Sequence, residues 1–303
     1  MVLGGWLTER RLHSVESLAS ETRLDSRTLR NVLAAGGLIP VEEKVTGHHV
    51  FDADEGRRLA ASVQRLIHVS ALGTALNCTR PQADQLLDER LLVQISNRVV
   101  EAIGRTRKSV DADEVNDFLE KLHACAHPVN IIPSGMVPIS KAAEKVKATS
   151  VDIIHLVLGG YLTSVVRLAH VSGIAALHVD PNEVRAEIGI CKKGLAANEV
   201  FRRLNVPRST GWALALRENE PRLPSMVITG RNGKHRFHRF RAKDVEEFMV
   251  RFATVPKIAN SLGCGTKALC DHLQRTQARP VIHRKEIGLD LYRIEQFPKQ
   301  TAA

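Results

Sequence analysis

The richest chemistry in this sequence lies between Arg231 and Lys243, a run of six Lys and Arg with two His and no acid. Alternation along a strand sets Phe237 apart from a face holding Arg236 and His238, so a ring can anchor a hairpin whose cations point outward. Arg231, Lys234, Arg236, His238, Arg239 and Arg241 are therefore the expected phosphate contacts. Three further groups suit base edges. Arg27, Thr28, Arg30 and Asn31 follow Asp25-Ser26; Arg208, Ser209 and Thr210 follow Pro207; Thr266, Lys267 and His272 follow Gly265. Arg pairs bidentately with guanine and Asn with adenine. Arg80 and Gln82 form a poorer group, because Asp84 and Asp88 share their helix; Thr149, Ser150, Asp152 and His155 include no Lys or Arg.

Other constellations have plainer explanations. Asp52, Asp54 and Glu55, and Asp111, Asp113 and Glu114, resemble metal ligands of a nuclease, yet each set stands just before a helix. There Asp is expected as N-cap, with the Glu three residues on completing a capping box. The spacing of His123, Cys125 and His127 is not that of a structural zinc site. Cys264, Cys270 and His272 lie on one helical hairpin, and Gly263-Cys264-Gly265-Thr266-Lys267 lacks the Gly-Lys-Ser/Thr order of a phosphate loop. No nucleophile–base arrangement emerges. The expectation is a protein that is not an enzyme, with no catalytic residue, no metal and no cofactor.

The elements that position these groups follow from a spacing that occurs five times. Its positions are Leu18, Ala19, Thr22, Leu24, Leu29, Leu33; Leu72, Gly73, Leu76, Cys78, Ala83, Leu87; Ala142, Ala143, Val146, Ala148, Ile153, Val157; Val200, Phe201, Leu204, Val206, Gly211, Ala215; and Ile258, Ala259, Leu262, Cys264, Leu269, Leu273. The first three positions form the inner face of a short helix, the fourth plugs a tight turn, and the last two, four apart, face inward from a second helix. A small second position brings the helices close. Asp25-Ser26, Thr79, Thr149-Ser150, Pro207 and Gly265-Thr266 begin the second helices, where capping residues and Pro are favoured. This is a helix-turn-helix, whose second helix enters the major groove of DNA.

A wing and a third helix follow each pair. Strands are expected around Thr46-Gly47 in 38–51, within 91–110, before Val179-Asp180, and around Gly230-Arg231-Asn232-Gly233. The fold expected is mainly α with small β-wings, a tandem array of five helix-turn-helix or winged-helix modules. Their bounds are 1–65, 66–127, 128–190, 191–251 with the basic wing, and an abbreviated 252–303. Linkers are expected near 64–68, 124–136, 189–194 and 250–254, with His123–Gly135 the clearest hinge.

Composition narrows the partners. The 303 residues carry a formal charge of +10, and residues 191–303 hold 22 of the 43 cations against ten of the 33 acids. The basic surplus belongs wholly to the last two modules and directs attention to nucleic acid. Aromatic residues at 4% argue against a reader of single strands or RNA, which stacks bases on rings. No apolar stretch spans a bilayer, the N-terminus does not read as a secretory signal, and five Cys without Cys-x-x-Cys form no disulfide framework. A cytoplasmic, nucleoid-associated protein without a membrane partner is expected.

Pro138-Ile139-Ser140-Lys141-Ala142-Ala143 and Phe240-Arg241-Ala242-Lys243-Asp244-Val245-Glu246-Glu247-Phe248 resemble excisionase-like and mercury-resistance-regulator-like winged helices. The array, with Val255-Pro256-Lys257-Ile258-Ala259-Asn260-Ser261-Leu262 followed by Ala278-Arg279-Pro280-Val281-Ile282, resembles the C-terminal region of TniQ-family transposition proteins. That resemblance implies a target-selection adaptor that binds double-stranded DNA and contacts a transposition ATPase or transposase, here through modules one to three. The zinc-binding Cys clusters of that family's N-terminal part have no counterpart in this chain. The function expected is sequence-selective binding of double-stranded DNA as a transposition target-selection or recombination accessory factor. The alternative is a protein-interaction scaffold or transcriptional regulator of helix-turn-helix modules.

Overall fold

The computed structural model describes residues 10–40, 49–94 and 108–297. The chain divides into two compact units, residues 1–87 with 92–120, and residues 88–91 with 121–303. Both are mainly helical with small sheets. In the first unit the order is β1 (Leu12–His13), α1 (Val15–Thr22), α2 (Ser26–Ala35), β2 (Phe51–Asp52), α3 (Ala53–Gln64), β3 (Leu66–His68), α4 (Leu72–Ala75), α5 (Arg80–Asp88), β4 (Ser109–Asp111) and α6 (Ala112–Ala124). The second unit takes in the last residues of α5 and α6. It continues with β5 (His127–Val129), β6 (Val137–Pro138), α7 (Ile139–Val146), α8 (Ser150–Leu158), β7 (Val165–Leu168), β8 (Leu177–Val179), α9 (Pro181–Glu187), α10 (Ala197–Leu204) and α11 (Arg208–Ala215). Then come β9 (Met226–Thr229), β10 (Arg236–Arg239), α12 (Ala242–Arg251), β11 (Phe252–Thr254), α13 (Val255–Leu262), α14 (Thr266–Arg275), α15 (Arg284–Ile287) and β12 (Leu291–Arg293).

Five helix pairs, α1/α2, α4/α5, α7/α8, α10/α11 and α13/α14, share one corner. The residue between the third and fourth positions of the spacing is left-handed every time: Arg23 (φ 57), Asn77 (47), Lys147 (54), Asn205 (55) and Gly263 (65). In four pairs the next N–H then reaches back to a carbonyl of the first helix, as Cys78 to Gly73, Ala148 to Ala143, Val206 to Phe201 and Cys264 to Ala259, at 2.9–3.0 Å. The first, fifth and sixth positions are buried in all five pairs, whereas the fourth is only half-buried and does not plug the corner. One pair reverses the small second position. Phe201 stands there, and its space comes from Gly211, where a Cβ would meet the Phe201 ring at 2.3 Å.

Short antiparallel pairings close each repeat. The strand before the first helix pairs with the strand before the third: Leu12–His13 with Phe51–Asp52, β3 with β4, β6 with β8, Leu195 with Phe240, and β11 with β12. The expected linkers are thereby corrected. Residues 66–68 and 252–254 are ladder strands, 188–193 form a 3-10 helix, and 127–129, inside the expected hinge, pair parallel with β7 in a sheet of order β5-β7-β8-β6. The backbone groups that a linker would leave to water are satisfied by strand pairing. The turn expected at Thr46-Gly47, and most of the wing in 91–110, lie outside the described residues.

Asp52, Asp111 and Asp180 each accept first-turn N–H groups of the following helix, at 2.8–3.0 Å. After Asp111 and Asp180, the Glu three residues later reaches elsewhere. Glu114 accepts from Val93 N–H at 2.8 Å, and Glu183 from Thr163 and Ser164 N–H at 2.6 and 3.0 Å. These carboxylates hold the segment after the second helix rather than completing a capping box.

Candidate nucleic-acid interface

A helix can enter a groove only if one side of it is open, and the second helices differ sharply here. α14 buries Leu269 and Leu273 while Thr266, Lys267, His272 and Arg275 are exposed. Its N-cap position is Gly265, which makes no side-chain cap, so first-turn N–H groups remain for an anion. α2 is similar: Leu29 and Leu33 are buried, Arg27 is exposed, and Arg30 and Asn31 are half-buried. Asp25 caps α2 through the Thr28 N–H at 2.9 Å and also accepts from its hydroxyl at 3.0 Å. Arg30 lies 3.7 Å from Glu16, a distance at which an exposed pair contributes little and can be exchanged for phosphate.

α8 and α11 are closed. Val151, Ile153, Ile154, His155, Leu156 and Val157 are all buried, so α8 is mostly apolar and covered, with only Asp152 and Leu158 partly exposed. In α11, Thr210, Gly211, Trp212, Leu214 and Ala215 are buried. Two expected base contacts are corrected accordingly. The Thr210 hydroxyl donates to the Ile287 carbonyl at 2.6 Å and sees no solvent. Arg208 is half-buried and ion-paired with Asp88, whose carbonyl also accepts from Trp212 Nε1 at 2.8 Å. Ser209 remains exposed at the start of the helix.

The basic hairpin is divided between surface and interior. Arg236 pairs with Thr229 and Arg239 with Met226 across β9 and β10. Lys234, Arg236 and Arg241 are exposed, with Arg241 Nε 3.1 Å from Met226 Sδ. The tip is docked. Asn232 donates to the Leu158 carbonyl at 2.7 Å, Tyr161 donates to the Thr229 carbonyl at 3.1 Å, and Arg231 pairs with Glu187 at 2.8 Å while lying over the Tyr161 ring. Arg231 therefore staples the hairpin to the α8–α9 region instead of projecting from it. His238 is half-buried beside Trp212 and 3.0 Å from Ser225 Oγ, and burial lowers its pKa.

Arg239 is the clearest departure from expectation, for it is 1% exposed. The alternation that turns Phe237 inward turns Arg239 inward too. Its Nη1 donates to Glu89 at 2.8 Å, Nη2 to Asp152 at 2.6 Å, and Nε to the Cys191 carbonyl at 2.8 Å. Glu89 also accepts from the Ala197 N–H at 3.1 Å, and Asp152 caps α8 through Thr149. Burial alone would raise the Glu89 carboxyl; His155 and Arg239 hold it below its ordinary value. His155, fully buried, stands 3.5 Å from Glu89 and 2.9 Å from His235, with its ring stacked on Phe237. Burial lowers the His155 pKa, and burial with the neighbouring His155 brings His235 down to about 4. Both imidazoles are neutral near pH 7. Arg239 is fully engaged in this ionic core and is no cation to spare for a ligand, while His155 Nε2 is buried with no hydrogen-bond partner among the described residues.

Among the described residues no three His, Cys, Asp or Glu side chains converge as a metal set, and no helix is long and apolar enough to cross a membrane. His123 Nε2 lies 3.0 Å from the Gly173 carbonyl, within its own unit. In comparison with known proteins, no family model matches the chain, no curated protein matches its sequence, and no solved structure matches its fold.

Proposed function

We propose that this protein binds double-stranded DNA sequence-selectively and without catalysis, through five helix-turn-helix modules, as a transposition target-selection or recombination accessory factor. The open face of α14 carries the reading, because Lys267, His272 and Arg275 stand exposed on a helix whose other side is core. The five left-handed corners in register support the modular division, and the surplus of cations in residues 191–303 supports a polyanionic partner. Base reading belongs to α14 and α2. Lys234, Arg236 and Arg241 hold phosphate, while α8 and α11 are structural. Modules one to three, which lack the basic surplus, take a transposition ATPase or transposase, and the complex works at the nucleoid. Selection of bound duplexes from a random pool with the full chain tests the reading. A recovered motif that changes in Lys267→Ala is the expected result; recovery of no motif would overturn sequence-selective binding.

A further inference from the structure

One open groove of about 660 Å³ in the second unit takes no part in the contacts assigned above. It lies between the corner that joins α7 to α8, the 3-10 segment 188–193 and the start of α10, with Arg239 and Asp152 among its lining residues. Its charges decide what it can hold. The lining includes Lys147, Lys192, Arg202 and Arg239 against Asp152 and Glu199. Both acids are already committed. Asp152 meets Arg239 with one oxygen and Thr149 with the other, and Glu199 pairs with Arg203 at 2.6 Å. Arg239 is committed in turn to Glu89 and Asp152. Lys147, Lys192 and Arg202 are exposed, and they make no ion pair among the described residues. Three cations thus converge on one groove with no acid left to neutralise them. Lys147 is the left-handed residue of the corner itself. The start of α10 adds little, because Ala196 lines the groove without a side-chain cap but the Ala197 N–H is already taken by Glu89 at 3.1 Å.

We propose that this groove is a phosphate site, with Lys147, Lys192 and Arg202 as its charged ligands. The open form suits either a backbone phosphate of bound DNA or a free phosphate such as that of a nucleotide. The first source rests on the DNA-binding reading; the second does not.

The test compares the full-length wild type with a triple variant, Lys147→Gln, Lys192→Gln and Arg202→Gln, and uses Lys121→Gln, outside the groove, as a control. All three positions are exposed, and an unchanged circular dichroism spectrum and melting temperature verify the fold. In one arm a labelled 20-bp duplex is titrated at several salt concentrations. In the other, ATP and inorganic phosphate are titrated by calorimetry. If DNA phosphate occupies the groove, the triple variant loses affinity for every duplex and its log K against log salt slope flattens by about 2 to 3, against about 1 or less for the control. If a free phosphate occupies it, the wild type binds ATP or phosphate and the triple variant loses at least tenfold of that affinity. Unchanged behaviour in both arms overturns the site. A wild type that binds no duplex overturns the DNA reading, and the groove then stands or falls on the calorimetric arm alone.

Discussion

Substituting Arg239 with Ala separates a cation that binds from one that builds. Arg239 and Arg236 lie three residues apart in one basic run, and a reading by charge alone treats them alike. Arg239 bridges Glu89 and Asp152 at 2.8 and 2.6 Å in a site where Glu89 is itself only 6% exposed. Removing it strands two carboxylates, of which Glu89 has almost no access to water. Breaking a buried pair in this way costs about 3–5 kcal/mol. For a unit of this size that is a fall in Tm of roughly 6–20 °C. The assay is urea unfolding at pH 7 followed by circular dichroism, on Arg239→Ala and Arg236→Ala. Arg236→Ala is expected to change stability by less than ~0.5 kcal/mol, as exposed substitutions do. Making Arg239→Ala in a Glu89→Gln, Asp152→Asn background should recover much of the loss, because the stranded charges are then gone. A loss below ~1 kcal/mol in Arg239→Ala, coupled to weaker duplex binding like that of Arg236→Ala, would refute the assignment of Arg239 to the core.

Arg236→Ala and Arg241→Ala should weaken binding to all duplexes alike and flatten the salt slope by about 0.9 each, measured by anisotropy. Lys267→Ala should shift sequence preference instead, with about 1–3 kcal/mol of discrimination lost at one base pair in a competition assay. The stability of the second unit should fall as pH drops. His155 and His235 have folded pKa values depressed below the unfolded 6.5, the latter to about 4, so unfolded chains bind more protons in that window. The His235 contribution is intact above pH 6.5 and lost between 6.5 and about 4; His235→Gln should flatten the melting temperature profile there, and an unchanged profile would count against the imidazole pair. Gly211→Ala should destabilise by about 1–3 kcal/mol in urea unfolding, since its Cβ would enter the Phe201 ring at 2.3 Å.

Much of the helical framework was legible in the sequence, because burial at spacings of one, three and four residues is a direct consequence of helix geometry. Leu18, Leu29 and Leu33 and their counterparts are the core as expected. The corner conformation was only partly legible: Asn77, Asn205 and Gly263 favour a left-handed residue, but Arg23 and Lys147 do so at a cost of about 1–2 kcal/mol that tertiary packing must offset. The segments 66–68, 127–129 and 252–254, expected as linkers, are strands of three residues, too short to carry a periodic signal. The closure of α8 is written in its largely apolar run from Val151 to Leu158. The burial of Arg239 follows from strand alternation two residues past Phe237, which charge alone does not carry. Its partner Glu89 is 150 residues away and no local pattern links them.

That separation has a kinetic consequence. Each short strand pairing closes a loop of about forty residues, so the entropic cost of closure is nearly equal in all five repeats and low enough for each to form early. The Arg239–Glu89 bridge spans 150 residues and costs about 1 kcal/mol more to close. We therefore expect it to be absent from the transition state for folding, as a latch engaged after the repeats have formed. Its loss should then appear as faster unfolding, with the refolding rate nearly unchanged. Stopped-flow chevrons of Arg239→Ala would show a raised unfolding limb; a lowered folding limb would place the bridge in the nucleus instead. With the unfolding limb raised, a residue from the basic run governs how long the native state lasts.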